Sequence, residues 1–277
     1  MTNVKEFLGN IRKSILTGNE TGQRLTLPSP PKVWQGDNDP VSELSQEKLL
    51  EQFLDNLDQL KGESFLCSDF NNLVLQIAKI LNEENSDEIK IMVSSNPIVR
   101  RIADQLQSVI DQLQQSGGTK KRLIFYTDPS AESPNTNVDK VDNAANNTNI
   151  DKVDKAANVD SVDIVELSNC SVGIAAADMM LSDTGSGVFQ ANSRFERLTI
   201  YLPPISIAVA DRSKLSKNLP ASWETLSSEI RNQKTGEFVI VTGPSRTADI
   251  EKVLILGVHG PKRVLFMIYD SSDKNDS

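Results

Sequence analysis

The stretch "EIKIMVSSNPIVRRIADQLQSVIDQLQQSGGTKKRLIFYTD", Glu88 to Asp128, carries two strand patterns separated by one long helix pattern. The short apolar runs "EIKIMVSS" and "RLIFYTD" are rich in Ile, Val, Phe and Tyr, which is typical of buried strands. Between them, "PIVRRIADQLQSVIDQLQQ" has helical spacing and is followed by Gly117 and Gly118, residues that commonly end helices. This alternation predicts a layered α/β domain with a largely parallel sheet.

Two further helices are predicted upstream of this stretch. "DFNNLVLQIAKILNEE" comes directly before it, and "SELSQEKLLEQFLDNLDQL" comes earlier, with Ser45 as N-cap and Gly62 just past the end. The apolar residues of the earlier helix lie at helical spacing: Leu49, Leu50, Phe53, Leu54, Leu57 and Leu60.

The second half of the chain is predicted to be richer in strand than in helix. Strands are expected at "VDIVELSNCSVGIA", "GVFQA", "RLTIYLPP", "ISIAVAD" and "EFVIVTG", with "RVLFMIYD" as the last strand. A helix is expected at "PASWETLSSEIRN", and we interpret "ADMM" as core helix rather than as a methionine-rich binding surface.

Three boundaries divide the chain. Residues 1–44 are predicted to form an amphipathic helix and an extended proline-rich arm that Trp34 anchors, and residues 45–270 a single α/β domain with a polar tail at 271–277. A low-complexity insertion at about 130–163 contains the repeat "NVDKVDNAAN" and "NIDKVDKAAN". Its aspartates lack the alternating ligand spacing, the glycine and the terminal glutamate of a calcium loop, so we predict a disordered surface loop.

Composition excludes several classes of protein. The 277 residues carry a net charge of −9, which disfavours nucleic acid and anionic membranes as partners. Apolar runs such as "ISIAVA" are too short to cross a bilayer, and the N-terminus lacks a signal peptide's apolar centre, so we expect a cytoplasmic protein. Cys67 and Cys170 belong to no metal-ligand pattern, and an iron–sulfur cluster usually takes four cysteines. We therefore expect no cofactor and no metal in this chain.

Glycine, hydroxyl and carboxylate residues are concentrated in three segments: "AAADMMLSDTGSG", "TGPSRTADIE" and "GVHGP". Each follows or precedes a predicted strand, and ligands of open α/β sheets gather at strand ends near helix N-termini.

In "TGPSRTADIE", Gly243 and the proline after it predict a turn, and Ser245 or Thr247 could cap a short helix. Arg246 beside free backbone N–H groups and two hydroxyls would suit a carboxylate or phosphate, or the arginine pairs with a local carboxylate. Asp249 and Glu251 would lie in the first turns of that helix, where acidic residues complement the helix dipole.

The other two segments supply the remaining candidates. His259 is the only histidine of the chain and lies in a tight loop between Gly257 and Gly260. It is either structural or a general acid or base. Such a role needs an orienting carboxylate, for which Asp183, Asp249 or Glu251 could serve.

"SDTGSG" is either a structural turn or part of the same site. It supplies Thr184, Gly185 and Ser186 as further candidate ligand contacts. It contains no GxSxG nucleophile motif.

Taken in order, "VGIAAADMMLSDTGSGVF", "YLPPISIAVAD", "TGPSRTADIE" and "LGVHGPKRV" resemble the LutC/YkgG-type lactate-utilisation proteins, the LUD-domain family. The opening "FLGNIRKSI" and the proline-rich arm are also similar to that family. Where the family commonly reads E-T-G-T, this chain has Asp183, Thr184, Gly185 and Ser186, and the insertion is an addition to the family pattern.

The resemblance implies a NagB/RpiA/CoA-transferase-like fold and participation in oxidising L-lactate to pyruvate together with iron–sulfur partner proteins. Because the chain lacks cluster ligands and a GxGxxG fingerprint, we expect a non-redox subunit that binds a small carboxylate or other anion, with His259 and Asp183 as a proton-handling pair. Two alternatives stay open: a stand-alone acyl- or phosphosugar-processing enzyme, and a non-catalytic assembly scaffold.

Overall fold

The computed structural model describes residues 44–114, 121–128, 164–232, 237–248, 254–256 and 260–271. All of them belong to one compact unit, Glu43–Ser277. The predicted N-terminal helix and arm, apart from Leu44, and the predicted insertion at about 130–163 lie outside the described residues, as does the tail after Ser271.

The described helices are α1 (Gln46–Gln59), α2 (Phe70–Glu83), α3 (Pro97–Gln114), α4 (Ile164–Leu167), α5 (Arg194–Tyr201) and α6 (Leu219–Asn232). The described strands are β1 (Glu63–Cys67), β2 (Glu88–Val93), β3 (Arg122–Thr127), β4 (Val172–Ala177), β5 (Met179–Leu181), β6 (Ser186–Ala191), β7 (Ile205–Asp211), β8 (Leu215–Ser216), β9 (Glu237–Val241), β10 (Arg246–Ala248), β11 (Leu254–Leu256) and β12 (Arg263–Tyr269). None of these helices combines the length and the apolar character that a bilayer span requires.

Six strands form one sheet in the order β1-β12-β7-β4-β2-β3, and every neighbouring pair is parallel. A second sheet has the order β8-β5-β6-β9, and β10 pairs with β11 in an antiparallel hairpin. The predicted layered α/β fold with a mainly parallel sheet is confirmed.

One face of the parallel sheet packs against α2 and α3. Large aliphatic side chains at alternate positions of β4, β7 and β12 point to this face, as the period-two geometry of strands requires. They share a buried cluster with the apolar sides of the two helices. The two helices predicted from the sequence are therefore confirmed. Each is stabilised mainly by burying its apolar side against the sheet.

The opposite face of the same strands is built from small residues. It presents Ala175 and Ala177 of β4 and Ala208 and Ala210 of β7, all within one buried cluster with α1 and the second sheet. Phe266 of β12 fills the centre of this layer, and its ring meets the ring of Phe53 from α1 edge to face at a centroid distance of 5.2 Å.

Glycine makes two close approaches possible in this layer. A Cβ at Gly187 of β6 would lie 2.8 Å from the Phe266 ring. A Cβ at Gly173 of β4 would lie 2.0 Å from the carbonyl oxygen of Thr199 in α5. Helix α5 thus rests directly on the backbone of a central strand.

The strand predicted at "RLTIYLPP" is wrong, since its first residues form helix α5. Ser193 caps this helix by accepting a hydrogen bond from the Glu196 N–H at 3.1 Å, and the Glu196 carboxylate reaches back to the Asn192 N–H at 2.8 Å. This reciprocal capping and the packing on Gly173 outweigh the strand preference of the β-branched and aromatic residues.

Three other local predictions differ from the structure. "ADMM" is not core helix, because Met179–Leu181 form β5, which is buried between β6 and β8. "VDIVELSNCSVGIA" is not one strand, since Ile164–Leu167 form a helical turn before β4 begins. Strand β1 was not predicted, because it is short, half polar and lies at the sheet edge.

We expect the Gly173→Ala variant to be strongly destabilised. The added methyl group meets backbone rather than a movable side chain, so the free energy of unfolding should fall by about 2 kcal/mol or more. Urea denaturation followed by circular dichroism measures this. Gly260→Ala serves as the comparison, because its Cβ would meet only the Ser245 side chain at 3.0 Å. Equal losses in the two variants would contradict this account of α5 packing.

Candidate functional site

The predicted site residues that the structure describes gather around the C-terminal end of α1. The helix ends with two reciprocal backbone bonds, from the Gly62 N–H to the Leu57 carbonyl at 2.9 Å and from the Lys61 N–H to the Asp58 carbonyl at 2.8 Å. This Schellman arrangement places Lys61 in the left-handed region with φ of 64°. Gly62 follows the helix end as predicted, but the left-handed residue is the lysine before it.

The turn between β5 and β6 packs on the last turns of α1. Gly185 has φ of 61°, and a Cβ there would lie 2.5 Å from the backbone nitrogen of Leu57. The Asn56 side-chain amide donates to the Ser182 carbonyl at 2.8 Å. The "DTG" motif is therefore shaped by contact with helix backbone, which explains its glycine.

A row of three hydroxyls runs from this turn to the end of β9. Ser186 Oγ lies 2.8 Å from Thr184 Oγ1 and 2.8 Å from Thr242 Oγ1. Ser186 is buried, whereas Thr184 and Thr242 are exposed. The outer hydroxyls can therefore contact a ligand while the inner one fixes their separation.

The turn after β9 lies against the same helix end. Gly243 has φ of 75°, and a Cβ there would lie 3.0 Å from Leu60 Cβ and 3.3 Å from the Leu60 carbonyl oxygen. The exposed Arg246 donates a hydrogen bond from Nη2 to that same carbonyl. Gly243 and the Arg246 guanidinium thus both lie against the Leu60 carbonyl oxygen, so the turn and the arginine share one place at the end of α1.

The short helix predicted after Gly243 is absent from the described part of this segment. Residues Arg246–Ala248 form β10 and pair with β11. The Ser245 N–H, which a helix N-terminus would leave free for an anion, donates to the Pro261 carbonyl at 2.8 Å. The Ser245 N–H, one of the backbone donors expected to bind a ligand, is therefore already used within the protein.

Arg246 contacts no carboxylate among the described residues. Its partner is the last carbonyl of α1, at the negative end of the helix dipole, where a cation is favoured by about 0.3 to 1 kcal/mol. This contact alone accounts for an arginine at that position. A guanidinium carries five N–H donors, and hydrogen-bond partners within the described part of the chain account for only the one on Leu60.

The segment that carries Ser245 and Arg246 lies at the amino ends of the parallel strands. The Ser245 N–H bonds to Pro261, just before the amino end of β12, and the Lys262 and Arg263 N–H groups bond to Pro204, just before the amino end of β7. Ligands of parallel sheets usually bind at the carboxyl ends of the strands. The amino ends of β7 and β12 are therefore the less usual place for a ligand site in such a sheet.

Several predicted residues lie outside the described residues or are described in part. His259, Asp249, Glu251 and Gly257 are outside them, and Thr247 is described only as a backbone position in β10.

Two predicted residues of the other loops are described. Gly260 faces Ser245, since a Cβ on it would lie 3.0 Å from Ser245 Cβ. Asp183 is exposed, and its N–H donates to the Lys217 carbonyl at 3.0 Å. Whether Asp183 meets His259 stays a prediction.

Sequence reasoning missed two residues of this arrangement. Thr242 could have been found, since it is a hydroxyl residue directly before the Gly243 turn. Leu60 could not, because it contributes a backbone carbonyl, and no side-chain pattern indicates that.

Both cysteines are buried, with 6% of Cys67 and 2% of Cys170 exposed, and neither forms a disulfide. Burial raises the pKa of each thiol to about 11. Near neutral pH a thiol with such a pKa is protonated, and a protonated thiol is a poor nucleophile.

The fold and these turns define a layered α/β domain with a parallel six-stranded sheet, a small-residue face covered by a second sheet, and a hydroxyl-rich edge beside Arg246. The LUD domain family matches residues 50–269, most of the chain. The chain belongs to the LUD domain family.

Curated relatives are named "Lactate utilization protein C". The protein of Macrococcus caseolyticus is 30% identical over 102 residues, covering 36% of this chain and 44% of its own. That of Bacillus subtilis is 29% identical over 107 residues, covering 38% and 45%. "Lactate utilization protein C 1" of Bacillus mycoides is 33% identical over 104 residues, covering 36% and 43%. The matched region thus spans less than half the length of these relatives.

A solved structure of a DUF162 family protein from Deinococcus radiodurans also aligns with the chain. The TM-score is 0.46 and the identity 14%, over 82% of this chain and 99% of that one.

We expect Lys61→Gly to raise the free energy of unfolding. A residue with a side chain destabilises the left-handed conformation by about 1 to 2 kcal/mol, and glycine removes this cost. Glycine also loses more conformational entropy on folding, which costs about 0.5 to 1 kcal/mol, so the net gain in stability is about 0.5 to 1 kcal/mol. Chemical denaturation measures it. Gly243→Ala makes the opposite change at another left-handed position of the cluster and should destabilise. A Lys61→Gly variant no more stable than the parent protein would contradict the assigned helix end.

Proposed function

We propose that this protein is a non-redox component of a system that oxidises L-lactate to pyruvate, in which separate iron–sulfur proteins carry the electrons. Membership of the LUD domain family and relatives named for lactate utilization support a role in this process. Because the matched region spans less than half of those relatives, the reaction and the partners are part of the proposal.

The observation that carries the non-redox assignment is the state of the two cysteines. An iron–sulfur cluster is usually held by four thiolates. Cys67 and Cys170 are the only cysteines of the sequence, two fewer than such a cluster usually takes, and both are buried. The electron carriers of the system are therefore expected in partner chains.

The ligand of this chain is proposed to be a small carboxylate or another oxyanion. The exposed Thr184 hydroxyl accepts from Ser186 and so keeps its own proton for a ligand, whereas the Thr242 hydroxyl donates to Ser186. Arg246 offers charge-assisted donors on the same side of the helix end. Gly185 and Gly243 contribute by letting the two turns approach the same helix end. Ser245 and Thr247 complete the set of hydroxyl residues in this segment.

Proton handling is proposed for His259, with Asp183 as its orienting carboxylate. Oxidation of lactate to pyruvate releases the proton of the 2-hydroxyl group, and histidine is suited to accept a proton near neutral pH. Asp249, Glu251, Gly257 and Gly260 would support the loops that carry these groups.

Arg246→Ala is expected to weaken binding of pyruvate or inorganic phosphate by roughly tenfold or more, because a charge-assisted hydrogen bond is lost. Isothermal titration calorimetry measures the affinity. Arg212→Ala is the matched control, since Arg212 is a surface arginine that contacts Glu47 at the other end of α1. Unchanged affinity for every carboxylate and phosphate in Arg246→Ala would remove the anion site.

Lactate oxidation by the purified native assembly should fall when this chain is removed and return when it is added back. Iron–sulfur proteins should copurify with it. Undiminished oxidation without the chain would refute the proposed function. Turnover of acyl or phosphosugar substrates by the purified chain, lost in Asp183→Asn, would favour the stand-alone enzyme instead, and full complex activity after replacing both Arg246 and His259 would favour a scaffold.

A further inference from the structure

The Arg246 guanidinium serves the end of a helix as well as the proposed ligand site. It donates to the Leu60 carbonyl, the C-cap of α1, and Leu60 also packs against Gly243 of the same turn. No other side chain among the described residues donates a recorded hydrogen bond to that carbonyl. The cap of α1 therefore depends on a side chain from a segment 186 residues further along the chain.

The helix end that Arg246 caps is conformationally strained. Lys61 follows directly and has φ of 64°, a conformation that side-chain-bearing residues adopt only when their surroundings impose it. Only one residue, Gly62, separates this position from β1. The first residue of β1, Glu63, is bound by Arg263 through two hydrogen bonds of 2.7 and 2.8 Å. Residues 56–63 thus form a short junction, the α1–β1 junction, that Arg246 contacts at Leu60 and Arg263 holds at its last residue, Glu63.

We propose that an oxyanion bound by Arg246 draws the guanidinium away from Leu60 and loosens the α1–β1 junction. This inference rests on the proposed anion site. A charged carboxylate or phosphate accepts stronger hydrogen bonds than a neutral carbonyl does. Because the helix dipole disfavours an anion beside the C-terminal end of α1, an anion bound there needs the positive charge of the guanidinium more than the neutral Leu60 carbonyl does.

Release of Leu60 has consequences for the neighbouring contacts. The residue before the left-handed Lys61 loses its side-chain restraint, while the bonds from Asn56 to Ser182 and from Arg263 to Glu63 remain. The change is therefore confined to the junction, and the apolar body of α1 stays packed. Arg246 is then a positioning residue. When it binds the anion it releases the Leu60 carbonyl, and this changes the surface formed by the end of α1 and the edge strand β1.

Hydrogen exchange monitored by mass spectrometry tests this in the full chain. Inorganic phosphate or pyruvate at saturation should speed exchange of peptides covering 56–63 by about fivefold, as expected when one restraint at a helix end is lost. Sodium chloride at equal ionic strength should leave it unchanged. Arg246→Ala should show the faster exchange without any anion and no response to it, whereas Arg212→Ala should behave as the parent protein.

The outcomes separate this inference from the proposed function. Calorimetric binding with unchanged or slower exchange at 56–63 would overturn the coupling and leave the anion site standing. Absence of binding for every probe would overturn both. Arg246→Lys gives a further check, because it keeps the charge and loses the planar fork, so an anion response equal to that of the parent protein would also contradict the assigned role of the guanidinium.

Discussion

The architecture depends on how closely a second layer can approach the parallel sheet. Alanine and glycine occupy the face of β4 and β7 that meets α1, α5 and the second sheet, while isoleucine and valine occupy the face that meets α2 and α3. This asymmetry lets the backbone of α5 rest on Gly173 and leaves room for the Phe53 and Phe266 rings between layers. Larger residues on that face would separate the layers and remove the close packing that stabilises them.

The same close approach determines where the polar residues lie. Because the second sheet and α1 press on the parallel sheet, the turns at its edge meet the end of α1 rather than solvent. Glycine is required at positions 185 and 243, because a side chain at either one would press against the last turn of α1 or its C-cap. A glycine-rich motif next to hydroxyls and an arginine can therefore arise from helix packing, and the ligand-binding role proposed for it uses groups that this packing leaves exposed.

The parts of the fold that could be predicted from sequence are those where local pattern and burial agree. Helices α1, α2 and α3 and strands β2, β3, β7 and β12 have clear periodicity and a single apolar side or core. The failures occur where tertiary contacts outweigh local preference, as in α5, whose strand-forming residues are held helical by a capping box and by Gly173. The glycine and hydroxyl clusters were visible in sequence, but the Leu60 carbonyl that Arg246 contacts was not, because backbone groups leave no trace in residue identity.

The pairing of β1 with β12 has a consequence for synthesis of the chain. Among the described strands, β1 comes first in the chain and pairs only with β12, which comes last, with Glu63 opposite Leu265. During translation, β1 must wait about 200 residues for its hydrogen-bonding partner, and the Phe53 side of α1 waits equally long for Phe266. Such non-local closure is slow to form, so the nascent domain holds an unpaired strand and an uncovered helix until almost its whole length has emerged. Joining the two ends of the domain in one sheet therefore leaves apolar surface and strand hydrogen-bonding groups uncovered for most of the time that the chain is being made.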